Sequence, residues 1–287
     1  MRVFVVGGTG FVGRALVPLL LERGHTPLVL SRKPMDLPPG AVWLQGDIVR
    51  EVPDLRGAEA AIYLAGIIRE GPQTFRAVHV EGVRNLVEGM RRAGVGRLLH
   101  MSALGARRAT ASRYYETKAE GEEVVRQSGL SWTIFRPSLI FGPGDEFFGR
   151  VLKNLVCGPL PFVPLIGDGR FPFRPVYVGD VALAFVEALE RGVLGTYDLV
   201  GPREYTLREL LEKAMEVVGR RKPFLPIPLA LMDLLVPLMS LLPFAPLTKD
   251  QYVMLKGGNT APLSPEVLAL IPRPTPLEEV LPGYLRC

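Results

Sequence analysis

The chain has 287 residues, 48% of them hydrophobic, and a formal net charge of +5. Its basic residues are scattered, with short clusters at Arg91-Arg92, Arg107-Arg108 and Arg220-Arg221-Lys222 and no interleaved aromatics. That pattern describes solvated faces and excludes a nucleic-acid interface. Two cysteines, Cys157 and Cys287, exclude a disulfide framework and a metal-ligand spacing, and they predict a reducing, cytoplasmic setting.

The chain enters a strand at once, which predicts no secretory leader. Asn occurs only at 85, 154 and 259 while Pro is abundant, the composition of a heat-adapted protein. Val3-Phe4-Val5-Val6 reads as the first strand, Gly7-Gly8-Thr9-Gly10-Phe11-Val12-Gly13 as a tight turn, and Phe11 to Leu21 as a helix. Glycines in such a turn let the backbone approach a ligand closely, and the free N–H groups at the helix start favour a pyrophosphate. Gly7, Thr9, Gly10, Phe11, Val12 and Gly13 are therefore assigned to a dinucleotide.

The second strand, Pro27 to Leu30, ends in Ser31-Arg32-Lys33. A carboxylate about 20 residues beyond the glycines would take the ribose 2′-OH of NAD. No Asp or Glu lies between Arg23 and Asp36, and Arg32 with Ser31 and Lys33 offers donors to a 2′-phosphate. NADP(H) is favoured over NAD(H).

Ala41 to Asp47 reads as a third strand and Ala60 to Ala65 as a fourth, closed by Gly66. Phe75 to Ala93 has helical spacing, stopped by Gly94; Arg97 to Ser102 is a fifth strand. Tyr114 to Gln127 is a helix, and Ser131 to Arg136 a sixth strand capped by Pro137. This alternation predicts an α/β fold, a doubly wound parallel (Rossmann) sheet whose ligands sit at the carboxyl ends of the strands. The glycine turn, Arg32, Asp47 with Ile48, Gly66, Ser102 and Pro137 all stand at such ends.

Residues 143 to 175 show no clear period, Val176 to Arg191 returns to a strand and a helix, and Thr196 to Val200 is a short strand. The remainder is helical and punctuated by proline. The expected division is a nucleotide-binding domain of 1–142 plus 174–200 and a smaller, mostly helical lobe of 143–173 plus 201–287. Phe224 to Leu247 is strongly apolar but contains Asp233 and five prolines, Pro226, Pro228, Pro237, Pro243 and Pro246. A membrane-spanning helix tolerates those poorly. A buried or pocket-covering segment is expected, with peripheral membrane contact as the alternative.

Tyr114 and Lys118 stand four apart, on one face of their helix. An ammonium beside a phenol favours the phenolate and brings its pKa toward the working range, so Tyr114 is the candidate proton relay, with Lys118 also reaching the nicotinamide ribose. The other role for this pair is an ordinary amphipathic surface. His25, His79 and His100 lack partners at metal spacing; structural roles and no metal are expected.

With these residues in view, the chain resembles the extended short-chain dehydrogenase/reductase superfamily. The matching pieces are the glycine turn, Leu64-Ala65-Gly66, Tyr114 with Lys118, Arg136-Pro137-Ser138 and Val176 to Val181. His79 to Leu86, Met101 to Ala106 and Tyr114 to Glu122 are similar to an atypical branch. That branch includes the 39-kDa accessory subunit of respiratory complex I and bacterial nucleoside-diphosphate-sugar epimerase-like proteins. The resemblance implies cofactor contacts at Leu64, Ala65, Gly66, Lys118 and Pro137. It also implies a carbonyl-polarising Ser or Thr a residue or two beyond Ser102, where this chain has Ala103 and Leu104. Ser102 is the substitute candidate; its other role is a turn-capping hydroxyl. Arg174 falls where sugar-nucleotide epimerases contact the substrate diphosphate, although their second arginine motif is not recognisable near Arg273. Two functions follow: an NADP(H)-dependent oxidoreductase or epimerase-like enzyme acting on an unidentified small molecule, or a non-catalytic NADP(H)-binding accessory protein at a respiratory or membrane complex.

Overall fold

The computed structural model describes residues 1–239 and 247–287. Pro243 and Pro246 lie outside the described residues. In chain order the elements begin β1 (Arg2–Val6), α1 (Phe11–Glu22), β2 (Thr26–Ser31), β3 (Val42–Gln45) and β4 (Ala60–Tyr63). A π-helical turn at Ala77–Glu81 leads into α2 (Gly82–Ala93), followed by β5 (Arg97–Met101), α3 (Arg113–Arg126) and β6 (Ser131–Pro137). Next come β7 (Ile140–Phe141), a second π-helical turn at Phe147–Leu152, α4 (Lys153–Cys157), β8 (Val163–Ile166), β9 (Pro172–Phe173) and β10 (Val176–Tyr177). The chain continues with α5 (Val178–Glu190), β11 (Gly195–Leu199), β12 (Tyr205–Thr206), α6 (Leu207–Val217), β13 (Phe224–Ile227) and α7 (Leu229–Met239). The last helices are α8 (Lys249–Gly257), α9 (Pro265–Leu270) and α10 (Leu277–Tyr284).

Two compact units result. The first holds 1–137, 178–199 and 264–272, so α9 packs with α5 and β11. Its seven-stranded sheet runs β11-β6-β5-β4-β1-β2-β3 and is parallel throughout. The order reverses between β1 and β4, which places the ligand crevice beyond the carboxyl ends of those two strands. β1 and β4 are buried almost end to end, as helices on both faces require. α2 covers one face with Val83, Leu86, Val87 and Met90 packed against Phe4, Leu28 and Leu98. Truncating Leu86 or Met90 to alanine in such a core costs about 2–5 kcal/mol. α2 stops at left-handed Gly94, whose amide returns to Arg91.

The π-helical entry to α2 is tied to the end of β4. Tyr63 at the end of β4 donates its hydroxyl to the carbonyl of Val78 at 2.5 Å, and Gly82 has no Cβ to block that hydroxyl. α3 begins on Ser112, whose Oγ accepts from the amide of Tyr115 at 3.3 Å.

The second unit holds 138–177, 200–263 and 273–287. Its core gathers Phe141, Phe148, Val163, Leu210 and Leu281. α6 starts on a capping box in which Thr206 and Glu209 hold each other's backbone amides. The expectation of no disulfide framework and a reducing setting is corrected here. Cys157 at the end of α4 and Cys287 are joined in a disulfide across a separation of 130 residues. The expectation of a buried apolar segment after Phe224 is corrected as well: α7 buries Met232 and Val236 but exposes Leu231, Leu234 and Leu238. Among the described residues no helix is long and apolar enough to cross a membrane.

Candidate functional site

The glycine turn after β1 divides its labour. Gly7 adopts φ +83°, and a Cβ there would meet the backbone of Ala65 at 2.7 Å, so this glycine lets the loops after β1 and β4 touch. A Cβ on Gly13 would strike the backbone of Gly7 and Gly8, which is close helix–strand packing. Gly10 is different: its Cβ position meets only the Gly7 carbonyl, at 3.2 Å. It is also the N-cap of α1 and has no side chain with which to cap it. The amides of Phe11, Val12 and Gly13 therefore stand at the positive end of the helix with the small Gly10 before them, an arrangement suited to a pyrophosphate.

At the end of β2, Arg32 and Lys33 are exposed. Arg32 lines a surface groove with Ile67, Arg69 and Gln73. Arg69 was not anticipated from sequence, because the loop after β4 has no periodicity to read. Ser31 corrects an expectation. Its hydroxyl donates to the Lys33 carbonyl at 2.7 Å and accepts from Trp43 Nε1 at 2.9 Å, so it holds the loop rather than standing ready as a donor. Asp47 likewise works within its own turn, accepting from the amide of Val49 at 3.1 Å. Asn85 donates to the Ile48 carbonyl at 2.8 Å and fixes that loop against α2.

Tyr114 and Lys118 lie on α3 as their spacing predicts. Lys118 is buried, and its Nζ donates to the Met101 carbonyl at 3.2 Å, at the end of β5. The same Nζ is 3.1 Å from where a Cβ on Gly66 would be, which brings the lysine against the loop after β4. Burial pushes its pKa down to about 8, against the opposing pull of Glu122. The expected effect on Tyr114 is corrected: burial raises its pKa above the ordinary phenol value. Its phenol is thus a protonated acid at neutral pH. Its ring meets His79 edge-on at 5.4 Å and Phe75 edge-on at 5.8 Å.

His79 sits in the π-helical turn and clasps two elements. The amide of Ile67 donates to Nε2 at 3.3 Å, so Nδ1 carries the proton and donates to Thr117 Oγ1 at 2.9 Å. Burial, with Lys118 second, pushes its pKa down to about 2. It is a neutral brace between the loop after β4 and α3. No group of histidine, cysteine and carboxylate side chains among the described residues forms a metal site.

Behind the lysine, Glu122 is fully buried and receives Arg136 Nε at 2.7 Å, Arg136 Nη2 at 2.6 Å and Arg126 Nη2 at 2.7 Å. Burial acts to raise its pKa, but these guanidiniums and the nearby Ser102 hydroxyl together hold it below the ordinary value. Ser102 follows β5, and its amide donates to the Phe135 carbonyl at 2.7 Å. Its hydroxyl is sealed from solvent without a hydrogen bond of full geometry, as are both ring nitrogens of His100. In this arrangement the Ser102 hydroxyl faces the buried carboxylate of Glu122. Ala103 and Leu104 after it are nearly buried, and Leu104 donates its amide to the Pro137 carbonyl at 2.9 Å.

Arg174 belongs to the second unit. Its guanidinium donates to the carbonyls of Gly201 at 2.8 Å, Pro202 at 3.1 Å and Ala261 at 3.2 Å. Each guanidinium nitrogen thus donates to a backbone carbonyl, which ties Arg174 to the segments at 201–202 and 261.

A family model described as NAD(P)H-binding matches residues 7–145. The chain is 32% identical over 240 residues to a ceramide reductase of Caulobacter vibrioides, covering 79% of this chain and 73% of that protein. It is 33% identical over 248 residues to the mitochondrial NADH dehydrogenase (ubiquinone) 1 alpha subcomplex subunit 9 of Arabidopsis thaliana, covering 79% of this chain and 60% of that protein. A UDP-glucose 4-epimerase of Thermus thermophilus in complex with NAD shares the fold, with a TM-score of 0.74, 24% identity and coverage of 99% of this chain and 98% of the other.

Proposed function

The chain belongs to the extended short-chain dehydrogenase/reductase superfamily, with an NAD(P)H-binding first unit, and from that premise we propose that it is an NADP(H)-dependent reductase of apolar carbonyl substrates. The observation that carries the reading is the pair on α3: the phenol of Tyr114, its ring edge-on to His79 at 5.4 Å, and, one turn on, a buried amine at Lys118 pressed against Gly66. A bound nicotinamide would supply the hydride to the carbonyl carbon. Tyr114 delivers its hydroxyl proton to the oxygen as the carbonyl electrons move there. Lys118 then offsets the charge left on the phenolate, because an ammonium within one helical turn favours it. The named activity of the Caulobacter relative supports an apolar substrate. Arg32 and Lys33, with no carboxylate at the end of β2, support NADP(H) over NAD(H).

A second reading has one specific observation behind it. Ser102 is sealed and Ala103 and Leu104 carry no hydroxyl, which leaves the strand end without a polarising donor. That favours a non-catalytic NADP(H)-binding accessory protein, in line with the similarity to the complex I subunit. A panel of long-chain ketones, sterol ketones and nucleotide sugars, followed by loss of NADPH absorbance, separates the two. Turnover of an apolar ketone is the expected result. Tight NADPH binding with no turnover across the panel overturns the reductase reading and leaves the accessory one.

A further inference from the structure

We propose that α7 and the strand before it form a docking face for an anionic membrane surface. α7 is apolar around its whole circumference apart from Asp233. A helix of that composition is ordinarily enclosed. Here one side is enclosed, with Met232 and Val236 packed against Tyr252. The opposite side carries Leu231, Leu234, Leu235 and Leu238, spaced as one helical stripe, with Leu234 64% and Leu238 59% exposed. Leu225 on β13, the strand before α7, is also exposed, at 48%. A contiguous apolar surface of this kind calls for a partner.

The charges indicate which partner. Asp233 is neutralised by Lys256 Nζ at 2.6 Å and Tyr252 OH at 2.9 Å. Just before β13 stand Arg220 and Arg221, both exposed, and Lys222, tied to the Gly158 carbonyl at 2.7 Å. Glu216, the acid nearest them in sequence, is paired with Lys213 at 2.9 Å. Among the described residues Arg220 and Arg221 form no ion pair, so along the chain exposed positive charge precedes the bare leucines. That is the chemistry of an in-plane helix that inserts its apolar side beneath anionic headgroups. At 11 residues α7 is about 16 Å long, too short to cross a bilayer but suited to lie along it. Docking of this kind does not require catalysis.

Flotation of the whole chain with phosphatidylcholine vesicles, with and without phosphatidylglycerol, tests the face. The chain floats with the anionic vesicles and about tenfold less with the neutral ones. Leu231→Ser, Leu234→Ser and Leu238→Ser combined abolish flotation at an unchanged melting temperature. Arg220→Glu with Arg221→Glu removes the preference for phosphatidylglycerol. If the triple variant melts lower, the single Leu234→Glu variant decides, since that side chain is the most exposed of the stripe. Absence of flotation with either vesicle overturns the proposal. So does flotation that Leu234→Glu leaves intact, or a leucine-dependent dimer in sedimentation without vesicle binding.

Discussion

The Nζ of Lys118 lies 3.1 Å from the position that a Cβ on Gly66 would occupy. A buried amine on α3 and the bare backbone after β4 therefore define one another. The amine donates to the neutral Met101 carbonyl, and burial outweighs the pull of Glu122, so its charged form is held in a place that disfavours it. Lys118 drops from the ordinary 10.5 to about 8, equivalent to about 3 kcal/mol against the charged form. The unfolded chain then binds more protons than the native one between those two values, and native stability rises with pH across that window. Below pH 8 the cost is present in full. Lys118→Met should accordingly raise the melting temperature at pH 7, and the gain should shrink as the pH approaches 10. Melts of both proteins at the two pH values check this; a variant less stable at pH 7 contradicts it.

Tyr114→Phe should abolish turnover of any substrate found while leaving NADPH affinity nearly unchanged, because the lost hydroxyl acts on the substrate. The ring contacts with His79 and Phe75 survive the change, so stability should hold. Full activity in this variant would remove Tyr114 from the mechanism.

Arg32→Ala should remove about 1.5–3 kcal/mol of the preference for NADPH over NADH, the worth of a hydrogen bond to a charged group. Ser31→Ala should act differently. It frees Trp43 Nε1 and the Lys33 carbonyl, weakening both cofactors together by disordering the loop. Calorimetry with the two cofactors distinguishes the effects, and equal affinities in the unaltered chain would dispose of the preference.

Arg174→Ala should lower stability rather than substrate affinity. Three backbone carbonyls lose a charged donor, and the one on buried Gly201, left unpaired, costs about 1–3 kcal/mol. A melt showing no loss, alongside a raised KM for a diphosphate-bearing substrate, would restore the residue to a binding role.

What could be read from the sequence was what depends on neighbours along the chain. The apolar run from Val3 to Val6, the glycines after it and the four-residue spacing of Tyr114 and Lys118 are local signals, and the sheet and the site follow from them. What escaped depends on distant partners. The π-helical turn gives its Val78 carbonyl to Tyr63, and Arg174 bonds carbonyls at 201, 202 and 261. The phenol's pKa was misread because spacing reports the neighbouring charge and not the burial that outweighs it. Helix α7 has an apolar composition that fits a buried helix as well as a docking one, and only exposure separates the two.

The disulfide between Cys157 and Cys287 was beyond sequence reasoning for the same reason, since its ends are 130 residues apart. It closes the second unit, joining the end of α4 to the residues just after α10; in and after that helix Leu281 and Leu285 enter the core and Tyr284 donates to Asp145 at 2.6 Å. A loop of that length restrains the unfolded chain strongly; the chain-entropy account gives about 4–5 kcal/mol. A melt in dithiothreitol, or of the Cys157→Ser and Cys287→Ser double variant, should fall by several degrees or more. NADPH affinity measured well below the melt should not move, because both cysteines lie in the second unit and the glycine turn lies in the first. An identical melting temperature with and without reductant would show that packing of α10 alone closes the unit.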